Sequence, residues 1–177
     1  MARITLGVTG SIAAYKACEL TRLFVQAEHD VRVVMTSAAA RFVTPLTFRT
    51  ISRNKVYTQM FEEPAEWMPG HIALASTDLL VIAPCTANVI AKLAQGLADD
   101  ILTATALASK APMLVVPAMN TAMWQHPATQ ANVAILESRQ AKFVDADTGE
   151  LACGTSGKGR MAEPATIFKA ASLIISS

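Results

Sequence analysis

The sequence predicts a doubly wound α/β fold: a parallel sheet held between two layers of helices in a three-layer sandwich. Apolar runs of strand length alternate with longer stretches whose apolar residues recur every three or four positions. The runs at 79–83 and 113–116 are apolar at every position instead of at alternate ones, which marks strands covered on both faces. Turns rich in Gly, Ser, Thr and Asn follow them, and such sheets bind ligands outside the carboxyl ends of their strands.

Residues 4–8 read as the first strand, closed by Thr9-Gly10-Ser11. Over 11–27 the period turns helical through Ile12, Tyr15, Ala17, Leu20, Leu23 and Phe24, with Ser11 placed as the N-cap. Residues 31–35 are the second strand, followed by Thr36-Ser37, and 79–83 are the third. Residues 113–116, bracketed by Pro112 and Pro117, make the fourth, and 142–144 make a fifth. Segment 72–75 reads as helical, and 165–175 as a last helix. The stretch 148–164 holds four of the eight glycines and reads as a mobile loop able to cover a ligand. No repeat or low-complexity linker divides the chain, so 1–177 reads as one domain. Right-handed crossovers then bring the turns at 9–12, 36–42, 84–89 and 117–120 to one crevice.

Composition removes several classes of function. Hydrophobic residues make up 52% and charged residues 16%, which excludes intrinsic disorder. Fifteen Lys and Arg against fourteen Asp and Glu leave +1, which gives no electrostatic case for nucleic acid or an acidic membrane. No run reaches the roughly 18 apolar residues of a membrane span. The N-terminus lacks the long apolar core and cleavage site of a signal peptide. Cys18, Cys85 and Cys153 are an odd number without zinc spacing, so no metal is expected and a reduced, cytoplasmic setting fits.

The first turn, Gly7-Val-Thr-Gly10-Ser-Ile-Ala13, lacks the third glycine of a dinucleotide fingerprint. It is either an ordinary strand-to-helix turn or a phosphate site made of free N–H groups, and the missing glycine favours a mononucleotide. Thr86 or Asn88 in Pro84-Cys-Thr-Ala-Asn-Val89 can cap the next helix, and a capped helix start also suits a phosphate. Asn120 reads as another cap that can also recognise an amide or a carboxylate. His71 stands beside Gly70 at a helix start, whereas His29 and His126 lie in polar surroundings typical of solvated positions. Cys153, in the glycine-rich stretch near Lys158 and Arg160, has the neighbours of a reactive thiol. Cys18 reads as a small core residue, and Cys85 as either core or ligand-adjacent.

Together these segments resemble the flavin-dependent cysteine decarboxylases of the phosphopantothenoylcysteine decarboxylase type, over residues 4–164. The resemblance is carried by Gly-Val-Thr-Gly-Ser-Ile-Ala-Ala-Tyr-Lys at 7–16, Gly-His-Ile at 70–72 and Ala-Pro-Cys-Thr-Ala-Asn at 83–88. Pro-Ala-Met-Asn-Thr-Ala-Met-Trp at 117–124 and Ala-Cys-Gly-Thr-Ser-Gly-Lys-Gly-Arg-Met-Ala-Glu-Pro at 152–164 are its most specific parts. It implies a Rossmann- or flavodoxin-like fold, FMN as cofactor and a place in coenzyme A synthesis. The implied substrate is 4′-phosphopantothenoylcysteine, whose thiol is oxidised to a thioaldehyde so that the electron pair left by carbon dioxide flows into C=S. Reduction of the resulting enethiolate then gives 4′-phosphopantetheine.

By this resemblance His71 is the active-site histidine beside the flavin and Cys153 the proton donor of the last step. Asn120 binds the substrate carboxylate, with Ala152, Gly154 and Met161 from a substrate-covering flap. Gly10, Ser11, Ile12, Ser37, Thr86, Ala87, Asn88, Val89 and Ala118 contact the flavin. A homotrimer or dodecamer with flavin at the subunit interface is implied, and a phosphopantothenate–cysteine ligase as a fused or separate partner. Rival readings are a peptidyl-cysteine decarboxylase of the lantibiotic type, a flavin prenyltransferase and a regulatory binding protein on the same scaffold. Cys153 favours the redox-neutral enzyme, because an enzyme that stops at the enethiol needs no final proton donor.

Overall fold

The computed structural model describes residues 1–61, 68–150 and 156–176. One sheet holds β1 (Arg3–Val8), β2 (Asp30–Met35), β3 (Val56–Tyr57), β4 (Leu79–Cys85), β5 (Met113–Pro117) and β6 (Lys142–Phe143). Their order is β3-β2-β1-β4-β5-β6, and every neighbouring pair is parallel. The strand order reverses at β1, which pairs with β2 on one side and β4 on the other. Connections from β1 and β4 therefore leave the sheet in opposite directions, and a crevice opens between them.

The helices are α1 (Ala14–Gln26), α2 (Pro45–Ser52), α3 (Gly70–Ala75), α4 (Ala87–Gln95), α5 (Ile101–Ala108), α6 (Thr121–Gln125), α7 (Pro127–Ser138) and α8 (Pro164–Ile175). Uniformly apolar strands have a simple reason: successive residues serve two cores. Leu79, Val81 and Ala83 of β4 pack with Leu20 and Phe24 of α1, Phe48 of α2 and Ile167 of α8. Leu80, Ile82 and Cys85 pack on the other face with Ile90 and Leu93 of α4, Leu102 of α5 and Leu136 of α7. Each large side chain so buried stabilises the fold by roughly 1.5–3 kcal/mol.

Helix ends follow local chemistry. Thr86 Oγ1 accepts from Val89 N at 3.4 Å to start α4. Gly96, at φ 69°, ends it with Leu97 N donating to Lys92 O at 2.9 Å. Asp100 and Thr103 form a capping box on α5. Ser11 does not cap α1: the helix opens at Ala14, because Ser11 first closes a tighter turn. Its Oγ accepts from Ala13 N at 3.3 Å and its carbonyl from Ala14 N at 2.9 Å.

Three further features depart from the sequence reading. β3 has only two residues and no apolar run to announce it. The glycine-rich stretch is not simply a loop: β7 (Asp147–Glu150) and β8 (Ser156–Arg160) pair antiparallel, with Gly149 opposite Gly157. Its backbone pairing leaves no alternation of apolar side chains to betray a strand. His29 is also less solvated than its neighbours suggest. Its Nδ1 accepts from Ala2 N at 3.2 Å and its ring lies edge-on to Phe24. Burial, and secondarily the N-terminal ammonium, push its pKa below the ordinary value. Among the described residues no helix is long and apolar enough to cross a membrane.

Candidate functional site

A cavity of about 650 Å³ lies where β1, β4 and β5 end. Gly10, Ser11, Ile12, Ala13, Tyr15 and Lys16 line it from the β1–α1 connection, and Thr86 from the start of α4. Ala118, Met119, Asn120 and Met123 come from the chain after β5, and Gly159, Arg160 and Met161 from the end of β8.

Thr9 fastens the first two walls together. It is fully buried, and its hydroxyl donates to Pro84 O at 2.8 Å while accepting from Thr86 N at 3.1 Å. Gly10 lets the chain pass against Ala38, which a Cβ would strike. Among the described residues the N–H groups of Gly10 and Ile12 meet no protein acceptor, as a phosphate-binding turn requires. The third wall hangs on the second through Ala118 N donating to Cys85 O at 3.0 Å. β8 then lies over it, with Met119 N donating to Gly159 O at 2.9 Å. Gly159 has φ 143°, and a Cβ there would meet the Met119 carbonyl. Asn120 caps α6, its Oδ1 accepting from Ala122 N at 2.8 Å. Behind it, Thr121 Oγ1 is buried with no hydrogen-bond partner among the described residues, close against Gly157.

The charged part of the wall is Lys16 and Arg160. Lys16, with its side chain 8% exposed, donates to Glu163 Oε1 at 2.9 Å and to Met161 O at 3.2 Å. Arg160 Nη2 donates to the same Glu163 oxygen at 2.7 Å. The Lys16 hydrogen bond, with Arg160 adding its charge, holds the Glu163 carboxyl below the usual carboxylate range.

Of the candidate residues, Gly10, Ser11, Ile12, Thr86, Ala118, Asn120 and Met161 line this one cavity. Ala87, Asn88 and Val89 form the first turn of α4 beside Thr86; Asn88 is exposed, and Val89 points into the core. Ser37 is exposed after β2, next to the Ala38 that Gly10 packs against. His71 is in the first turn of α3, partly exposed, and does not line the cavity. Ala152, Cys153 and Gly154 lie outside the described residues. Cys85, left open between core and ligand, is fully buried in the core on the α4 side, and burial pushes its thiol far up. Cys18 is half-buried against the other core, and burial pushes its thiol up as well.

The sequence reading brought the segments holding Thr9 and Met119 to the crevice, but it did not single out Lys16, Tyr15 or Met123 as wall residues. The signal for Lys16 was available. It is a charge on the face of α1 that buries Ala17, Leu20 and Phe24, and a cation there needs a partner from elsewhere in the fold.

The chain resembles known proteins along almost its whole length. It is 50% identical over 169 residues to the coenzyme A biosynthesis bifunctional protein CoaBC of Bacillus subtilis (strain 168), covering 95% of this chain and 42% of that protein. It is 48% identical over 170 residues to CoaBC of Haemophilus influenzae, covering 96% of this chain and again 42% of that protein. The chain thus spans about two fifths of the length of these curated relatives. Among solved structures, a cysteine-to-serine mutant of PPC decarboxylase complexed with pantothenoylaminoethenethiol superposes with a TM-score of 0.88 at 32% identity, covering 99% of this chain and 98% of that one. The FMN-dependent cysteine decarboxylase SpaF superposes at 0.80 and 30% identity, covering 97% and 98%. The family described as Flavoprotein matches residues 1–175, and the chain belongs to that family.

Proposed function

We propose that this chain binds FMN and decarboxylates 4′-phosphopantothenoylcysteine to 4′-phosphopantetheine in coenzyme A synthesis. The observation that carries the reading is the meeting of the Gly10–Ile12 turn, Thr86 and Asn120 around one cavity at the strand-order reversal. The residues present fit a flavin mononucleotide. The cavity, at about 650 Å³, is within the range of roughly 300–1,000 Å³ usual for cofactor sites. Two N–H groups without a protein acceptor suit its phosphate, and Ile12, Ala118 and Met119 offer apolar surface to a ring.

FMN, when bound, supplies the oxidation of the substrate thiol and the hydride that later restores it. The protein's own part is to orient and to move protons. Asn120, held at the start of α6 by its Oδ1 cap, binds the substrate carboxylate. That contact holds the carboxylate so that the electrons of the breaking C–C bond can pass into the neighbouring C=S group. Met161, with Ala152 and Gly154, covers the substrate and keeps water out. Cys153 donates the proton that completes the saturated thiol; in the sequence it falls between β7 and β8, and β8 docks on the Met119 turn. Ala87, Asn88, Val89 and Ser37 complete the flavin surroundings.

His71 stands beside the flavin in an assembly of several copies. Within one chain it does not line the cavity, while Ile12, Tyr15 and Met123 at the rim are exposed. Both observations support a homotrimer or dodecamer with flavin at the interface between copies. The partner activity is a phosphopantothenate–cysteine ligase, fused or separate, as the bifunctional naming of the relatives suggests. Residues 1–177 act as one FMN-binding domain, in the cytoplasm with the thiols reduced.

A peptidyl-cysteine decarboxylase is the second reading, since the similarity to SpaF, an FMN-dependent cysteine decarboxylase, supports cysteine decarboxylation in either form. Product analysis of a Cys153→Ser variant separates the two. The redox-neutral enzyme so altered should release carbon dioxide and accumulate the enethiol. An undiminished yield of saturated thiol would remove Cys153 from the mechanism. An enethiol already formed by the unaltered protein would favour the peptide enzyme.

A further inference from the structure

Two cations on the cavity wall share one anion. Lys16 and Arg160 both line the cavity and both donate to Glu163 Oε1, whereas Glu163 itself does not line it. Among the described residues no other acidic side chain does either; Asp147, opposite Arg160 in the β7–β8 register, lies off the wall. The wall therefore carries one positive charge in excess.

The two cations are not interchangeable. Lys16 is nearly inaccessible and has two acceptors, and withdrawing Glu163 would strand a buried ammonium. Arg160 is 43% exposed, its side chain lies against Gly149, and it reaches Glu163 through Nη2. It can turn to a new partner at small cost while Lys16 keeps the carboxylate neutralised. A planar guanidinium on an open wall suits a phosphate monoester, which is close to doubly charged near pH 7 and takes a two-pronged contact.

We propose that Arg160 is the receptor for a phosphate monoester in this cavity, exchanging Glu163 for it while Lys16 holds Glu163 in place. The inference rests on the functional reading for the identity of the ligand. The favoured source is the substrate's 4′-phosphate, because the Gly10–Ile12 turn already offers N–H groups to the cofactor's phosphate.

The test is calorimetric binding of 4′-phosphopantetheine and pantetheine to FMN-loaded protein, in the natural sequence, Arg160→Gln and Arg160→Lys. FMN affinity is measured on the same three proteins. Losing a charge-assisted contact should erase about 10- to 100-fold of the preference for the phosphorylated ligand in Arg160→Gln, with part of it kept in Arg160→Lys. If FMN affinity falls by that factor and the preference stays, the same guanidinium serves the cofactor's phosphate. Equal weakening of both pantetheine ligands, or no change in either measurement, overturns the inference. Failure of the decarboxylase reading shows separately, as no carbon dioxide from the unaltered protein.

Discussion

Thr9→Val keeps the shape of a fully buried side chain and deletes its hydroxyl. Two hydrogen bonds go: the 2.8 Å donation to Pro84 O and the 3.1 Å acceptance from Thr86 N. Pro84 O keeps Thr9 N at 3.3 Å, so that loss costs about 0.5–1.5 kcal/mol. Thr86 N loses its acceptor at a part-buried position, at about 1–3 kcal/mol. The sum, about 1.5–4.5 kcal/mol, lowers Tm by roughly 3–18 °C for a chain of this size. The same change uncouples the Gly10–Ile12 turn from the start of α4, so FMN affinity should fall with stability. Thr9→Ser retains both bonds, loses one methyl worth about 1 kcal/mol, and should keep FMN affinity. Thermal unfolding and flavin fluorescence titration of both variants make the assay. A Thr9→Val protein with unchanged Tm and unchanged flavin affinity would refute the claim that this hydroxyl joins the two walls.

Further outcomes follow from the same geometry. Glu163 has a folded pKa below its unfolded value of about 4.5, so its stabilising contribution is full above that value and is lost as pH falls through the folded pKa. Thermal scans from pH 6 down to 3 should show a steeper fall for the natural protein than for Glu163→Gln. Gly159→Ala places a Cβ against the Met119 carbonyl at φ 143°, and should cost about 1–3 kcal/mol in chemical denaturation. Equal stability would mean that β8 does not need its close approach to the Met119 turn. Thr121→Val removes a buried hydroxyl with no partner among the described residues, so denaturation should show a change between zero and about 1 kcal/mol of stabilisation. A clear destabilisation would reveal a bond to that oxygen.

The main sheet was legible because its strands are buried on both faces, which leaves uninterrupted apolar runs such as Leu79 to Ala83. β3 escaped because two residues carry no period, and β7 and β8 because glycine pairing hides the pattern of a strand. Turns at the strand ends were legible as a set, since doubly wound topology requires them to converge. The Lys16–Glu163–Arg160 cluster was not, because the pairing of Lys16 with Glu163 spans 147 positions and neither local period nor spacing reports it. His71 shows a further limit. Its glycine neighbour and helix start are local signals, but whether it faces the cavity depends on where α3 packs, and within one chain it does not line that cavity.

The most direct test of the account is a mass balance. FMN-loaded protein is incubated with 4′-phosphopantothenoylcysteine while carbon dioxide, the thiol product and the flavin absorption spectrum are followed together. The account predicts carbon dioxide and 4′-phosphopantetheine in equal amounts, with the flavin oxidised again at the end. Bound flavin with no carbon dioxide would contradict it.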